Sequence, residues 1–217
     1  MPPLPTAPPV KPRLRGVSHQ IAAVVALVAG SVLVSRTTSP AARDSAIAYT
    51  VCLTALFTIS AAYHRPTWGP TMRTWMRRLD HAGIFLFIAG TYTPLSLALS
   101  ADDGATLRAV VWAGALAGVV QSLVWVTAPK PLIAIIYVVL GWSIIPYVGR
   151  MYAAVGAWPL ALILGGGVVY SLGALVYAKK RPDPLPAVFG YHEVFHALVI
   201  TAAVLHFAAV ARVVLAA

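Results

Sequence analysis

Near the C-terminus of this 217-residue chain, two histidines and a glutamate follow the pattern His192-Glu193-x-x-His196. Residues four apart lie on one face of an α-helix, about 6 Å apart along its axis, so two imidazoles at this spacing can bind one metal ion. The same pattern occurs in the zinc-binding helices of metalloproteases, where the glutamate is the general base. The pattern is short, and its meaning depends on the segments around it.

Other polar residues could complete a metal site with this pair. Ser60 and His64 show the same four-residue spacing, and Asp80 follows a few residues later. Imidazoles from His64, His192 and His196, with one water, would make a four-coordinate zinc site with an open position. Such a site lowers the pKa of its water to about 7 and polarises a carbonyl group. Asp80 could deprotonate or orient that water, or hydrogen-bond a histidine ligand.

The elements that must position these residues are membrane-spanning helices. Hydrophobic residues make up 59% of the chain and charged residues only 10%, which excludes an ordinary soluble domain. Seven apolar runs are long enough to cross a bilayer as helices. These runs cover residues 17–35, 45–64, 81–99, 108–127, 132–149, 158–178 and 191–211. The sequence therefore predicts an all-α integral membrane bundle of seven transmembrane helices.

The distribution of charge predicts the domain organisation and the orientation. Residues 1–16 form a Pro-rich basic tail that we expect to be disordered and cytoplasmic, and residues 17–217 form the seven-helix domain. Of the sixteen Lys and Arg residues, eleven lie on the side of the N-terminus and five on the other side. Since cytoplasmic loops hold the basic excess, we expect a multi-pass plasma-membrane protein with a cytoplasmic N-terminus and an outside C-terminus. The net charge of +10 is then a topology signal and indicates no nucleic-acid partner.

The order of the spans brings the polar residues to one leaflet. Because alternate spans run in opposite directions, the end of span 2 and the starts of spans 3 and 7 share a side of the membrane. His64 ends span 2, Asp80 begins span 3, and His192 begins span 7. Ionisable groups are costly in a bilayer, so a cluster of them is a functional candidate by default.

Two of these residues also have simple structural interpretations. Asp80 could cap the N-terminus of span 3 and pair with Arg77 or Arg78. Ser60 could hydrogen-bond a carbonyl one turn back in its own helix.

The sequence leaves the roles of four further residues open. His81 could replace His64 as the third ligand if span 3 were rotated, and His19 could face either the cluster or the lipid headgroups. His206 lies about 21 Å along the helix from His192, too far to share its metal. Glu193 could contact the site, reach the interface, or favour the start of its helix.

Three segments that contain these residues resemble the bacterial hemolysin III family. They are SAAYHR (60–65), RRLDHAGIFLFIAGTYTPLSL (77–97) and FGYHEVFHALVITAAVLHF (189–207). That family belongs to the progestin and adipoQ receptor superfamily and is more distantly related to membrane hydrolases such as alkaline ceramidases. The resemblance implies a seven-helix fold, zinc bound by His64, His192 and His196, and Ser60 and Asp80 near the metal-bound water.

These residues and this resemblance favour a zinc-dependent membrane hydrolase that cleaves amide or ester bonds of lipids at the cytoplasmic side. Membrane lipids are then the expected substrate or ligand, one zinc ion is the expected cofactor, and the oligomeric state is open. The first alternative is a receptor or membrane-homeostasis sensor in which zinc is structural. A secreted cytolysin ranks lower because seven apolar spans leave no soluble state. A proton-coupled transporter ranks low as well, since no polar path continues across the bilayer.

Overall fold

The computed structural model describes residues 11–217, and this part of the chain folds into seven helical spans without a β-strand. The α-helices are α1 (Val17–Ser35), α2 (Pro40–His64), α3 (Pro70–Leu95), α4 (Ala101–Val124), α5 (Lys130–Gly141), α6 (Val148–Val155), α7 (Ala157–Lys179) and α8 (Tyr191–Ala216). Helices α5 and α6 together form the fifth span, so α7 is span 6 and α8 is span 7. The predicted seven-helix fold is confirmed.

Residues at the helix starts explain where several spans begin. Ser39 accepts a hydrogen bond from the backbone N–H of Ala42, and Pro40 fixes the first turn of α2. Ser100 caps α4 in the same way, through the N–H of Asp103. These caps satisfy N–H groups that the helix itself leaves without partners.

Helix α3 begins earlier than its apolar run predicts. It starts at Pro70, so Asp80 and His81 lie about three turns inside the helix and do not open it. The first turns of α3 contain polar and basic residues, so a prediction from hydropathy alone assigns them to a loop. An N-cap role for Asp80 is therefore excluded.

The fifth span is broken near its middle. Helix α5 ends at Gly141, and a 3₁₀ turn, Ile145–Tyr147, that contains Pro146 leads into α6. The Tyr92 hydroxyl from α3 donates to the Gly141 carbonyl at 2.6 Å and accepts from the Ile144 N–H at 3.1 Å. A neighbouring side chain thus satisfies backbone groups that a helix break would leave unpaired in lipid.

Helix α8 is the centre of the bundle. It packs against α7 along much of its length and also contacts α1, α2 and α3. The outer helices expose apolar side chains, for example Ile21, Val24 and Val28 of α1, as expected for a surface that faces lipid tails. The bundle interior between α2, α3, α5, α7 and α8 encloses the cavity described below.

The segment before α1 is ordered where the structure describes it. The predicted disordered tail covered residues 1–16, of which 1–10 lie outside the described residues. Residues 11–16, which we call the N-terminal strap, form a turn that lies against the loop before α8. The Arg13 and Leu14 N–H groups donate to the carbonyls of Ala187 and Val188 at 3.0 and 3.1 Å. These backbone bonds give the strap partners that composition does not reveal.

Candidate metal centre

The structure brings three histidines together at one end of the bundle. His64 is the last residue of α2, and His192 and His196 lie on the first turns of α8. One ring nitrogen from each lies within 4.8 Å of the others, and all three residues are buried. The Nε2 atoms of His64 and His192 are 3.1 Å apart. This grouping follows from the parity of the spans and the four-residue spacing on α8.

The donor set fits a zinc ion. Neutral imidazole is a preferred zinc ligand, and tetrahedral coordination at about 2.0–2.1 Å places ligand nitrogens about 3.3 Å apart. The separation of the His64 and His192 nitrogens is close to that value. The Nδ1 atom of His196 is buried without a hydrogen-bond partner among the described residues. Three converging buried imidazoles are thus compatible with one metal ion.

His19 of α1 lies directly against this cluster. Its ring stacks on that of His196, with centroids 3.7 Å apart and planes 13° from parallel. Its Nδ1 atom is 2.9 Å from the Ser60 hydroxyl oxygen. Of the two positions that the sequence left open for His19, the structure has the one facing the cluster. Ser60 bonds to this histidine across the helix interface and not to a carbonyl of its own helix.

Asp80 of α3 lies beside the histidines. Its Oδ2 atom is 3.8 Å from Nε2 of His64, and its side chain is largely buried. The neighbouring His81 is not part of the three-histidine group, so the third imidazole comes from His64. The cluster therefore combines three imidazoles, one carboxylate and one hydroxyl from α2, α3 and α8.

Glu193 has both carboxylate oxygens engaged elsewhere. Oε2 accepts a hydrogen bond from the Gly190 N–H at 2.8 Å, which caps α8. Oε1 forms an ion pair with the Arg15 guanidinium of the N-terminal strap. Of the roles that the sequence allowed, Glu193 therefore supports the start of its helix, and each of its oxygens is held by a group of the protein.

The strap packs closely over the site. Gly16 has a positive φ of 78°, and a Cβ atom at this position would come within 2.8 Å of the His64 Cβ. Glycine is suited to both demands because it has no side chain. Lys11 donates to the carbonyls of Arg65 and Pro66 just beyond α2. The strap thus holds the end of α2, where His64 is located.

A large cavity extends from this end into the bundle. Its volume is about 1380 Å³, above the roughly 300–1,000 Å³ of common small-molecule sites. The histidine cluster, Ser60 and Asp80 line it, and apolar residues such as Leu56, Ile84 and Val199 line its inner part. His206 lies at the inner end, with Nε2 3.0 Å from the Ile163 carbonyl, which places it on a backbone partner far from the cluster.

Comparison with known proteins identifies the family. The family described as Haemolysin-III related matches residues 9–207. The chain belongs to the haemolysin III family. It is 28% identical over 191 residues to Hemolysin-3 of Bacillus cereus, covering 85% of this chain and 83% of that protein. It is 35% identical over 123 residues to a Hemolysin-3 homolog of Bacillus subtilis, covering 56% and 55% of the two chains.

Similarity to this chain extends beyond bacterial proteins. The chain is 26% identical over 193 residues to the Monocyte to macrophage differentiation factor of Homo sapiens, covering 86% of this chain and 78% of that protein. This relative fits the progestin and adipoQ receptor superfamily named above. This haemolysin III chain is therefore a multi-pass membrane protein with a buried three-histidine cluster compatible with metal binding.

Some residues at the site are not evident in the sequence pattern. Arg15 precedes the first span and carries no motif, yet it pairs with a residue 178 positions later. Tyr177, at the end of α7, places its ring 5.9 Å from that of His192. Because alternate spans run in opposite directions, Arg15 and Tyr177 lie on the same side of the membrane as the histidines. This shared side was the signal in the sequence that could have pointed to them.

Proposed function

We propose that this protein is a zinc-dependent membrane hydrolase that cleaves an amide or ester bond of a lipid. The observation that carries the proposal is a buried three-histidine cluster, with a carboxylate beside it, that lines a large cavity with an apolar inner part. A lipid could place its acyl chain in the apolar part and its polar linkage near the histidines.

The proposed roles follow from position. His64, His192 and His196 would hold the metal. A zinc ion bound there would polarise a carbonyl and acidify a water molecule. Asp80 would accept the proton of the attacking water, because its carboxylate lies beside His64. Ser60, held by His19, would offer its hydroxyl to the oxygen of the substrate carbonyl.

The test compares metal content and turnover of the purified protein. We expect His192→Ala and His196→Ala to lose most of the bound zinc and all hydrolysis of ceramide-like or acylated lipids, measured as released fatty acid. Asp80→Asn should keep the zinc and lose turnover by about 100-fold or more, the usual size of general-base catalysis. Arg36→Gln, on the opposite side of the bundle, is the control. Unchanged zinc in the histidine variants would contradict the metal site.

A second candidate function is a receptor or membrane-homeostasis sensor in which zinc is structural. Its support is that the cluster joins the end of α2 to the start of α8, two segments 128 residues apart in sequence. A metal at this point would act as a crosslink between them. Zinc-loaded protein that releases no fatty acid from any lipid tested, but loses stability on chelation, would favour this function.

The proposed orientation places the cluster at the cytoplasmic side of the plasma membrane. Support comes from the basic residues, most of which lie at the end of the bundle that carries the N-terminus and the histidines.

A further inference from the structure

Four cationic side chains surround the mouth of the cavity. This cationic rim consists of Lys11, Arg73, Arg77 and Lys130, all of which line the cavity. Arg15 also lines it but is already paired with Glu193. Among the described residues, none of the four rim cations forms an ion pair. The rim therefore carries positive charge that the protein itself does not neutralise there.

Basic residues on one face of α3 form a row from the mouth of the cavity toward the candidate metal centre. Arg73, Arg77 and His81 are spaced four residues apart, so they lie on one helical face, and Asp80 is three residues beyond Arg77. Further along the same face come Ile84 and other apolar residues of the cavity wall. The cavity wall is thus cationic at the mouth, contains the histidine cluster further in, and is apolar at the inner end.

Lys130, the first residue of α5, adds positive charge to the part of the cavity wall formed by that helix. Its ammonium lies 4.8 Å from the centroid of the Tyr177 ring, and that ring lies 5.9 Å from the ring of His192. Lys130 and Arg77 both line this cavity, and neither has a carboxylate partner among the described residues. Such a pair of cations, half-buried at a membrane cavity, is a site where an anion would relieve repulsion.

The basic bias of this side of the membrane does not by itself account for the rim. Cytoplasmic loops are rich in Lys and Arg in membrane proteins generally. On the same side of this protein, Lys179 and Arg181 are exposed and lie outside the cavity wall. Rim cations differ because they converge on one opening. The carboxylates that line the cavity are Asp80, next to His64, and Asp183, which accepts from the Tyr191 N–H.

We propose that the cavity binds a lipid whose headgroup carries net negative charge on a terminal phosphate, held at the mouth by Arg77 and Lys130. This inference rests on the proposed function in that it names the substrate class of the same site. Guanidinium and ammonium groups are the usual partners of phosphate, and basic pockets between membrane helices bind anionic headgroups. The acyl chain lies along the apolar wall, and the linkage between headgroup and chain lies near the histidines.

Binding tests the inference without requiring turnover. The purified full chain, in nanodiscs of phosphatidylcholine, is titrated with oleoyl lysophosphatidate and, separately, with oleoyl lysophosphatidylcholine. We expect the anionic lipid to bind at least about tenfold more tightly, because each charge-assisted contact contributes roughly that factor. The preference should shrink in high salt, since part of the site is open to solvent. Equal affinities for the two lipids would overturn the inference.

Matched variants locate the preference. Arg77→Gln with Lys130→Gln should remove most of it, whereas Lys179→Gln with Arg181→Gln, an equal loss of charge on the same side, should retain it. Loss in both pairs would mean a general surface effect and would overturn the assignment to the rim. If the first pair fails to fold, each single substitution is expected to remove part of the preference, and a full preference in both singles would count against the rim.

Two further arms separate the possible outcomes. Glycerol phosphate should displace the lipid only weakly; displacement at equal concentration would show a site for free phosphate and overturn the lipid assignment. Arg36→Gln, at the opposite end of the bundle and outside the cavity wall, should keep the preference. A preference without turnover of any lipid would support this inference while the proposed hydrolase failed. Turnover of a lipid without a preference for the anionic one would support the proposed hydrolase and overturn this inference.

Discussion

Glu193 illustrates how a residue between two candidate metal ligands acquires a different role from its surroundings. Its neighbours His192 and His196 converge on His64, while its own carboxylate caps α8 and pairs with Arg15 of the strap. In a metalloprotease helix the same position supplies the base. Here the buried carboxylate contacts Gly190 and Arg15 of the same chain, so it anchors the strap to α8.

We expect Glu193→Gln to loosen the strap without removing metal. A hydrogen bond to a charged partner contributes about 1.5–3 kcal/mol, so the free energy of unfolding should fall by about 2 kcal/mol. For a chain of this size that corresponds to about 4–8 °C in the unfolding midpoint, measured in detergent. Asp44→Asn, at an exposed position near the other end of the bundle, is the control and should change little.

Zinc content of the same variant separates the two roles of this position. Glu193 is not among the candidate ligands, so bound zinc should match that of the unaltered protein. A marked loss of zinc would show that the carboxylate acts at the metal, and an unchanged unfolding midpoint would show that it does not hold the strap.

At the scale of helices, the sequence predicts which ends meet but not how each helix is rotated. Hydropathy identifies the seven spans, and their antiparallel order alone places His64, Asp80 and His192 in one leaflet. The rotation of a helix depends on side-chain packing with several neighbours, which no local pattern encodes. For this reason the stacking of His19 on His196 and the exclusion of His81 required the structure.

The ends of elements were harder to predict for a related reason. Helix α3 begins at Pro70, within a polar segment, because the backbone hydrogen bonds of a helix do not depend on the hydropathy of its side chains. The strap is ordered by bonds to Ala187 and Val188, far away in sequence. Long-range contacts of this kind leave no periodic signal in a single sequence.

Helix packing around α8 depends on one glycine of α7. A Cβ atom at Gly166 would lie 2.3 Å from the His206 ring, whereas a Cβ at the adjacent Gly165 would lie 4.0 Å from Leu205. We expect Gly166→Ala to lower the free energy of unfolding by about 1–3 kcal/mol, the usual cost of overpacking. Gly165→Ala should be neutral or stabilising by up to about 1 kcal/mol, because alanine favours helix.

The two unfolding midpoints, measured side by side, check this prediction. Adding His206→Ala to Gly166→Ala should recover part of the loss, since the smaller side chain makes room for the new methyl group. Equal midpoints for the two single variants would contradict the close approach of α7 and α8.

For the whole molecule, the candidate site, the strap and the basic residues occupy the same end of the bundle. Within residues 11–217, the basic residues at the opposite end are Arg36, Arg43, Arg108, Arg150 and Arg212. At that end Arg150 pairs with Asp103, which neutralises part of even this smaller charge. Because basic loops are generally retained in the cytoplasm, this asymmetry predicts a cytoplasmic location for the candidate site.

Cysteine labelling tests this orientation directly, since the chain has a single native cysteine. In a Cys52→Ala background, Asp102→Cys and Lys179→Cys place one exposed thiol at each end of the bundle. A membrane-impermeant maleimide should label Asp102→Cys in intact cells, and should label Lys179→Cys only after the membrane is permeabilised. The background variant should stay unlabelled in both conditions. The reverse pattern would place the histidine cluster, and any lipid that it binds, at the outer leaflet.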